Sequence, residues 1–482
     1  MKNFKRFSGY LFSFGLGLGV SQLSGLSTNF VSDGNRGARE NSLAPTSSPD
    51  SSEIQNNLNY LEVPFWENSS ADPLFSELGL DEILNIDQEE SPKITEESLD
   101  RILIDFQSRL DPQFKIPELI FNQTKFWFRI YTEFDSTKKV VHDSLHPHII
   151  YDVIDISEIL EAPSKAKWLN VQKANKAVSA RVAHIRKKLK NMASKKIDNF
   201  DEQEKLWWEQ LQTVKGARHR VLKTAAASVR VQTGQKNFFE NGLTLSGRYI
   251  EGMEQLFAEK KLPIELTRLP FVESSFVIGA TSKVGAAGIW QFMPGIGRKF
   301  MLVNDQFDER RNPWKSTRAA AQLLKENHLI LHKNWGLALT AYNHGPGGVR
   351  KAMQATGSRD IAKIVRQYRS RNFDFASANF YTCFLAALHA YTYRDLIWPD
   401  HVIEPTLVFE KVKLNKSART RDLLAKSNLG TDEFLAYNPE LDRSLRRNDL
   451  LPKGYQILLP PQAAEMFLQS VALIEKSSHR PL

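Results

Sequence analysis

The chain is predicted to be mainly α-helical, with one small βααβ unit near its C-terminus. Three observations point there. Apolar residues recur at helical spacing through its middle, as in Leu245, Tyr249, Met253, Leu256 and Phe257. A basic run, residues 165–196, holds eleven Lys/Arg and no acidic residue, yet sets Trp168, Val171, Val178, Val182, Ile185 and Leu189 near a helical period. Finally, β-patterned runs at 407–412 and 455–459 bracket short helical patterns at 420–427 and 431–437.

From the N-terminus, Lys2, Lys5 and Arg6 precede an apolar stretch at 10–20, the pattern of an export signal, assigned to residues 1–30. No clear small-residue cleavage site follows, so an uncleaved N-terminal anchor is the alternative to cleavage. The sole cysteine, Cys383, lies far from this segment; there is thus no lipobox, and no intramolecular disulfide. Residues 31–57 are rich in Ser, Asn, Gly, Asp and Pro and read as a disordered linker. An N-terminal, mostly helical appendage follows over 58–230, in which the aromatic run Phe126 to Tyr131 is buried in helix or strand. His142, Asp143, His146 and His148 have ligand-like spacing, but Pro147 interrupts it and no second ligand cluster accompanies them; capping and surface roles are preferred, with no metal.

The 482 residues suffice for two or three domains. An excess of 64 Lys+Arg over 55 Asp+Glu suits polyanionic surroundings: cell-wall polymers, anionic lipid or nucleic acid. No nucleic-acid module signature accompanies the basic run, so a solvated helix face is the plain reading and nucleic acid is not expected as a partner.

Residues 231–400 carry the chemistry. Pro263 suits the first turn of a helix that delivers Glu273 at or near its C-terminal end. Ser316 or Thr317 is placed to cap an Ala-rich helix ending near His332, and the helix from Trp335 stops at Gly345-Pro346. Glu273 follows Leu269, Pro270, Phe271 and Val272. A carboxyl walled by apolar groups loses hydration of its charged form and stays protonated near neutrality, as a general acid requires. Gly285, Ala286, Ala287 and Gly288 allow close backbone approach; Trp290 and Phe292 add flat apolar faces, and Gln291 both donates and accepts hydrogen bonds.

These pieces, in order, resemble the signature of the family-1 lytic transglycosylases: Glu273-Ser274, then Ala280-Thr281-Ser282, Gly285 to Gly288, Trp290 to Pro294, and Ala341-Tyr342-Asn343-His344-Gly345. Asn312-Pro313 and Ser316 to Ala321 match intermediate pieces, while Ile296 departs from the family's usual Thr. The resemblance covers roughly residues 232–390 and is nearest the D-type membrane-bound enzymes. It implies a goose-lysozyme-like α domain with a deep groove, acting on peptidoglycan glycan strands without cofactor or metal. Glu273 and Tyr342 would be catalytic, Tyr342 holding Glu273 by a hydrogen bond. Ser274, Ser282, Gln291, Met293, Asn343 and Tyr381 would contact the glycan. The implied reaction cleaves the bond between N-acetylmuramic acid and N-acetylglucosamine with 1,6-anhydro ring formation, in the periplasm and in loose association with the envelope. A hydrolysing muramidase, or a noncatalytic peptidoglycan-binding protein, is the alternative.

Residues 401–465 resemble a LysM module, a glycan-binding βααβ unit, with Asn438-Pro439 after the second helix. The usual Gly-Asp-Thr after the first strand is missing, Asn415-Lys416-Ser417 standing roughly there.

Overall fold

The computed structural model describes residues 95–164 and 166–477. The expected signal, the linker and the start of the appendage lie outside the described residues. Helix α1 (Glu96–Leu103) opens on Thr95, whose hydroxyl accepts the Ser98 N–H, and buries Leu99, Ile102 and Leu103. The aromatic run forms α2 (Phe121–Thr132), with Phe126, Trp127, Phe128, Ile130 and Tyr131 all buried.

A three-stranded antiparallel sheet follows, unforeseen in a segment expected to be mostly helical. It comprises β1 (Lys138–Asp143), β2 (Ile150–Asp155) and, much later, β3 (Val229–Thr233), in the order β2-β1-β3. The β-branched pairs Val140-Val141 and Val229/Val231 favour the pleated backbone, and register sets Val140 opposite Val153 on one side and Gln232 on the other. Between β2 and β3 run α3 (Lys167–Met192), α4 (Glu202–Leu211) and α5 (Arg218–Ala227). The basic run is indeed one long helix: Ala174, Val178, Val182, Ile185, Leu189 and Met192 face a core shared with Val141, Tyr151, Trp207 and Leu222. Its cations lie outside this stripe, some paired across the lobe, as in Lys188–Asp201 at 2.9 Å.

The main helical body contains α6 (Lys236–Ser246), α7 (Ile250–Glu259), the single-turn α8 (Leu269–Glu273), α9 (Pro313–Ile330), α10 (Trp335–His344), α11 (Pro346–Thr356), α12 (Ile361–Gln367) and α13 (Phe375–Thr392). The stripe read as one helix from Leu245 to Phe257 is interrupted between α6 and α7. The Glu404 carbonyl packs there so closely that a Cβ at Gly247 would meet it at 2.0 Å. Asn312, not Ser316 or Thr317, caps α9, accepting the Trp314 and Lys315 N–H groups. Both hydroxyls instead donate back to the Pro313 carbonyl one turn earlier.

A boundary at residue 230/231 does not separate two cores. Trp127 of α2 donates its indole N–H to Asn379 Oδ1 of α13 at 2.8 Å, and Gln123 donates to the same oxygen at 2.8 Å. One apolar cluster therefore runs from Leu99 through Trp127 and Phe271 to Trp398. The reason is volume: α13 is buried along nearly its whole length and needs α2 to cover it.

The C-terminal unit has β4 (Glu410–Lys413), β5 (Ala418–Arg419), α14 (Thr420–Ser427), α15 (Thr431–Tyr437), α16 (Asp442–Arg447), β6 (Leu450–Leu451), β7 (Gln456–Leu459) and α17 (Pro461–Ser477). β4 pairs antiparallel with β7, setting Val412 opposite Ile457, both buried. The strand–helix–helix–strand order matches the sequence reading; α16, the β5/β6 pair and α17 are additions to it.

Candidate active site

Pro263 starts a 3₁₀ segment, Ile264–Arg268, that runs straight into α8, so Glu273 is the last residue of that turn. Carbonyls at a helix C-terminus carry partial negative charge and disfavour a second anion. Phe271 and Val272 are buried beside it, and Glu273 itself is 3% exposed. Among the described residues neither carboxyl oxygen has a hydrogen-bond partner. Burial alone pushes the carboxyl from its ordinary 4.5 up to about 8. Among the described residues no charged neighbour contributes to that shift.

The segment 279–292 folds over this acid as a tight loop. Ser282 N–H donates to the Ala286 carbonyl at 2.9 Å, and Ser282 Oγ accepts the Ala286 N–H at 2.9 Å. Gly288 adopts φ +77 because the chain presses on the Arg310 carbonyl, 1.9 Å from where a Cβ would sit. Gln291, itself at φ 46, donates its amide to the carbonyls of Gly288 (2.8 Å) and Ala280 (3.3 Å). Two bonds tie the loop to the acid's surroundings: Ser274 Oγ to the Ile289 carbonyl at 3.0 Å, and Tyr342 Oη to the Trp290 carbonyl at 2.8 Å. Trp290 is locked by its own indole bond to Thr317 Oγ1 at 2.9 Å.

This geometry revises the expected Tyr342–Glu273 bond. Tyr342 is close enough that, after burial, the Glu273 charge is what raises its hydroxyl pKa. Yet its single phenolic proton goes to a buried main-chain carbonyl, which needs a donor. The other expected residues divide. Ser274, Ser282 and Gln291 belong to the loop around Glu273, their polar groups largely spent on holding it. Met293 is half-buried and precedes the turn Pro294–Gly297, in which Ile296 packs part-buried on the main core. Asn343, next to Tyr342 on α10, accepts from the Ser377 hydroxyl at 3.2 Å, and Ser377 also pairs with His344 Nδ1 at 2.9 Å. Tyr381 is buried on α13 with its ring against Gly336, at the opposite end of α10 from Tyr342.

Sequence reasoning missed Tyr131 and the Arg310-Arg311 pair. Tyr131 of α2 feels the Glu273 charge and lies beside Cys383, though it was read as part of a packing appendage. The signal was the aromatic run itself, whose last member senses the acid's charge. Arg310 and Arg311 bond the carbonyls of Gly279, Gly285 and Phe292, a role that nothing in a charged dipeptide announces. Elsewhere, Asp143 caps the turn at Leu145 and His146 and accepts from Tyr151, while His142 is buried and held near pKa 3 by burial and by Arg230.

Residues 256–365 match the family model described as the transglycosylase SLT domain. Glu273, the loop and Tyr342 all fall inside it. Over 102 residues the chain is 39% identical to the membrane-bound lytic murein transglycosylase D of Escherichia coli (strain K12), spanning 21% of this chain and 23% of that one. Over 96 residues it is 35% identical to a protein of Alteromonas sp. (strain M-1) named for tributyltin chloride resistance, 20% of this chain and 46% of that one. The chain thus spans less than half the length of either relative. Among solved structures, the lytic transglycosylase Slt of Pseudomonas aeruginosa, as an inactive mutant, overlaps at 17% identity and TM-score 0.29, over 64% of this chain and 45% of that one.

Proposed function

We propose that the SLT domain is a peptidoglycan lytic transglycosylase acting through Glu273. The observation that carries this reading is a buried carboxyl at the end of α8, without a hydrogen-bond partner among the described residues and held protonated near neutrality, its neighbours Ser274 and Tyr342 bonded to the 279–292 loop. Glycosidases of the two-carboxylate kind place a second carboxyl about 5–10 Å away as base or nucleophile. Among the described residues no charged group shifts Glu273 in that way, so in this reading one group serves both half-reactions.

In the proposed reaction the Glu273 carboxyl gives its proton to the glycosidic oxygen as the C1–O bond breaks. The departing N-acetylglucosamine leaves with a free 4-hydroxyl. The oxygen of the muramoyl C6 hydroxyl then bonds to C1, and its proton passes to the Glu273 carboxylate, restoring the acid. No water is consumed. An attacking group held within the substrate has a large effective concentration, and an apolar, loop-covered acid keeps water from competing. Tyr342 supports the reaction by pinning Trp290, and half-buried Met293, with Asn343 beside Tyr342, is the glycan contact proposed.

The periplasm is the compartment proposed, where the substrate lies; no helix among the described residues is long and apolar enough to cross a membrane. The C-terminal unit is proposed as a LysM-like glycan binder, on its strand–helix–helix–strand order. Digesting sacculi and weighing the muropeptides tests the reading. Anhydro products, lighter by one water than hydrolytic ones, are expected; reducing-end products alone would establish a hydrolase.

A further inference from the structure

The C-terminal unit is not a loosely tethered sugar binder. Phe307, in the hairpin-like segment 302–312 of the SLT domain, is buried in the core of the C-terminal unit and stacks on Tyr455 with ring centroids 5.3 Å apart. Ser444 and Arg447 of α16 donate to the main-chain carbonyls of Gln306 and Asp305. Lys315 completes the junction: its Nζ reaches Glu309 at 2.7 Å, Tyr455 Oη at 3.1 Å and Glu440 at 3.4 Å.

The same short segment grips the loop over Glu273 at its far end. Arg310 donates twice to the Asp308 carboxylate, at 2.7 Å each, and to the carbonyls of Gly285 (2.6 Å) and Phe292 (2.9 Å). Arg311 donates to the Gly279 carbonyl at 2.8 Å and to Thr281 Oγ1 at 2.7 Å. The backbone of Gly288 lies directly on the Arg310 carbonyl. Both ends and the middle of 279–292 are therefore fastened to Arg310 and Arg311, in the same short segment whose Asp305, Gln306 and Phe307 the C-terminal unit holds.

We infer that residues 302–312 form a strut by which the C-terminal unit fixes the loop over Glu273, making Arg310 and Arg311 positioning residues for the reaction. The inference rests on the transglycosylase reading for its catalytic consequence, not for its mechanical one. Arg310 makes four bonds, two to carbonyls and two to one carboxylate, more than the three donors of a lysine can supply. Loosening the loop would misplace groups around the acid and admit water to it. Among the described residues the groups that sense the Glu273 charge are Tyr342 of α10 and Tyr131 of α2, with Cys383 of α13 beside Tyr131, and no charged side chain shifts it, so entering water would lower its pKa.

Two variants of the full chain test this: Arg310→Lys, and from the other side Ser444→Ala with Arg447→Ala. Amide hydrogen exchange in 279–292 should quicken about tenfold in both, with exchange in α13 unchanged. On short soluble glycans kcat should fall roughly tenfold for Arg310→Lys and a few-fold for the double variant, with KM within about twofold. The alkaline limb of kcat/KM should move toward acid in both. If both variants lose thermal stability while loop exchange, kcat and the alkaline limb stay as in wild type, the segment is only an inter-domain joint and the inference is overturned. A wild type that forms no anhydro product would sink the transglycosylase reading instead, and the exchange measurement would still decide the strut.

Discussion

Replacing Glu273 by Gln should stabilise the fold, by an amount that depends on pH in a calculable way. In the unfolded chain the carboxyl ionises near 4.5, whereas in the folded chain burial holds it to about 8. Between those values the native state binds a proton that the unfolded state has released, so stability falls as pH rises through this window. At pH 7 the gap from 4.5 spans 2.5 units, which at 1.36 kcal/mol per unit is about 3 kcal/mol of lost stability. Above pH 8 the native group ionises too, and the penalty levels off near 5 kcal/mol. Below pH 4.5 it vanishes. Glutamine has the shape of the protonated acid and does not titrate, so the variant should escape this loss. Urea unfolding of both proteins at pH 4, 7 and 8.5 measures the difference, from which every other titrating group cancels. The gain should be near zero at pH 4 and reach about 3 kcal/mol by pH 7. A difference that stays flat from pH 4 to 8.5 would mean Glu273 is ionised and solvated in the folded chain, and the general-acid argument would collapse with it.

Other consequences are open to direct measurement. The same Glu273→Gln variant should lose at least about 10³-fold in turnover, since acid–base assistance is typically 10²–10⁴-fold and one group serves both half-reactions, while sacculus pull-down is retained. Wild-type kcat/KM should decline above about pH 8, where the acid loses its proton, and a profile still rising at pH 9 would contradict that protonation state. Tyr342→Phe leaves the Trp290 carbonyl without its donor and should cost about 1–3 kcal/mol in unfolding free energy, with kcat falling more than KM rises. Phe307→Ala opens a cavity between the SLT domain and the C-terminal unit and should cost about 3–5 kcal/mol by denaturant titration, with earlier melting of the C-terminal unit by hydrogen exchange.

Periodicity and punctuation in the chain foretold much of this architecture, because local rules governed those parts. Glu273 ends its helix as Pro263 and the apolar run suggested, and 420–427 and 431–437 are helices to the residue. Where the reading departed, long-range packing had overridden local pattern. Gly247 breaks an uninterrupted apolar stripe only because a chain segment more than 150 residues later lies on it. The β1–β3 pairing joins strands whose closing partner comes only after α3, α4 and α5, and no short window contains that information. The same limit applies at the site. Motif spacing placed Glu273, Gln291 and Tyr342 in one neighbourhood, but hydrogen-bond direction depends on which buried acceptor most needs a donor. Thus Tyr342 serves Trp290, and Gln291 serves Gly288 and Ala280. The price of a dry acid is a loop that cannot use the acid as an anchor. Its tightness must come from its own backbone bonds, from Ser274 and Tyr342, and from the arginines beneath it. That division of labour explains why so many polar side chains of the motif face the loop, leaving both Glu273 oxygens to a substrate.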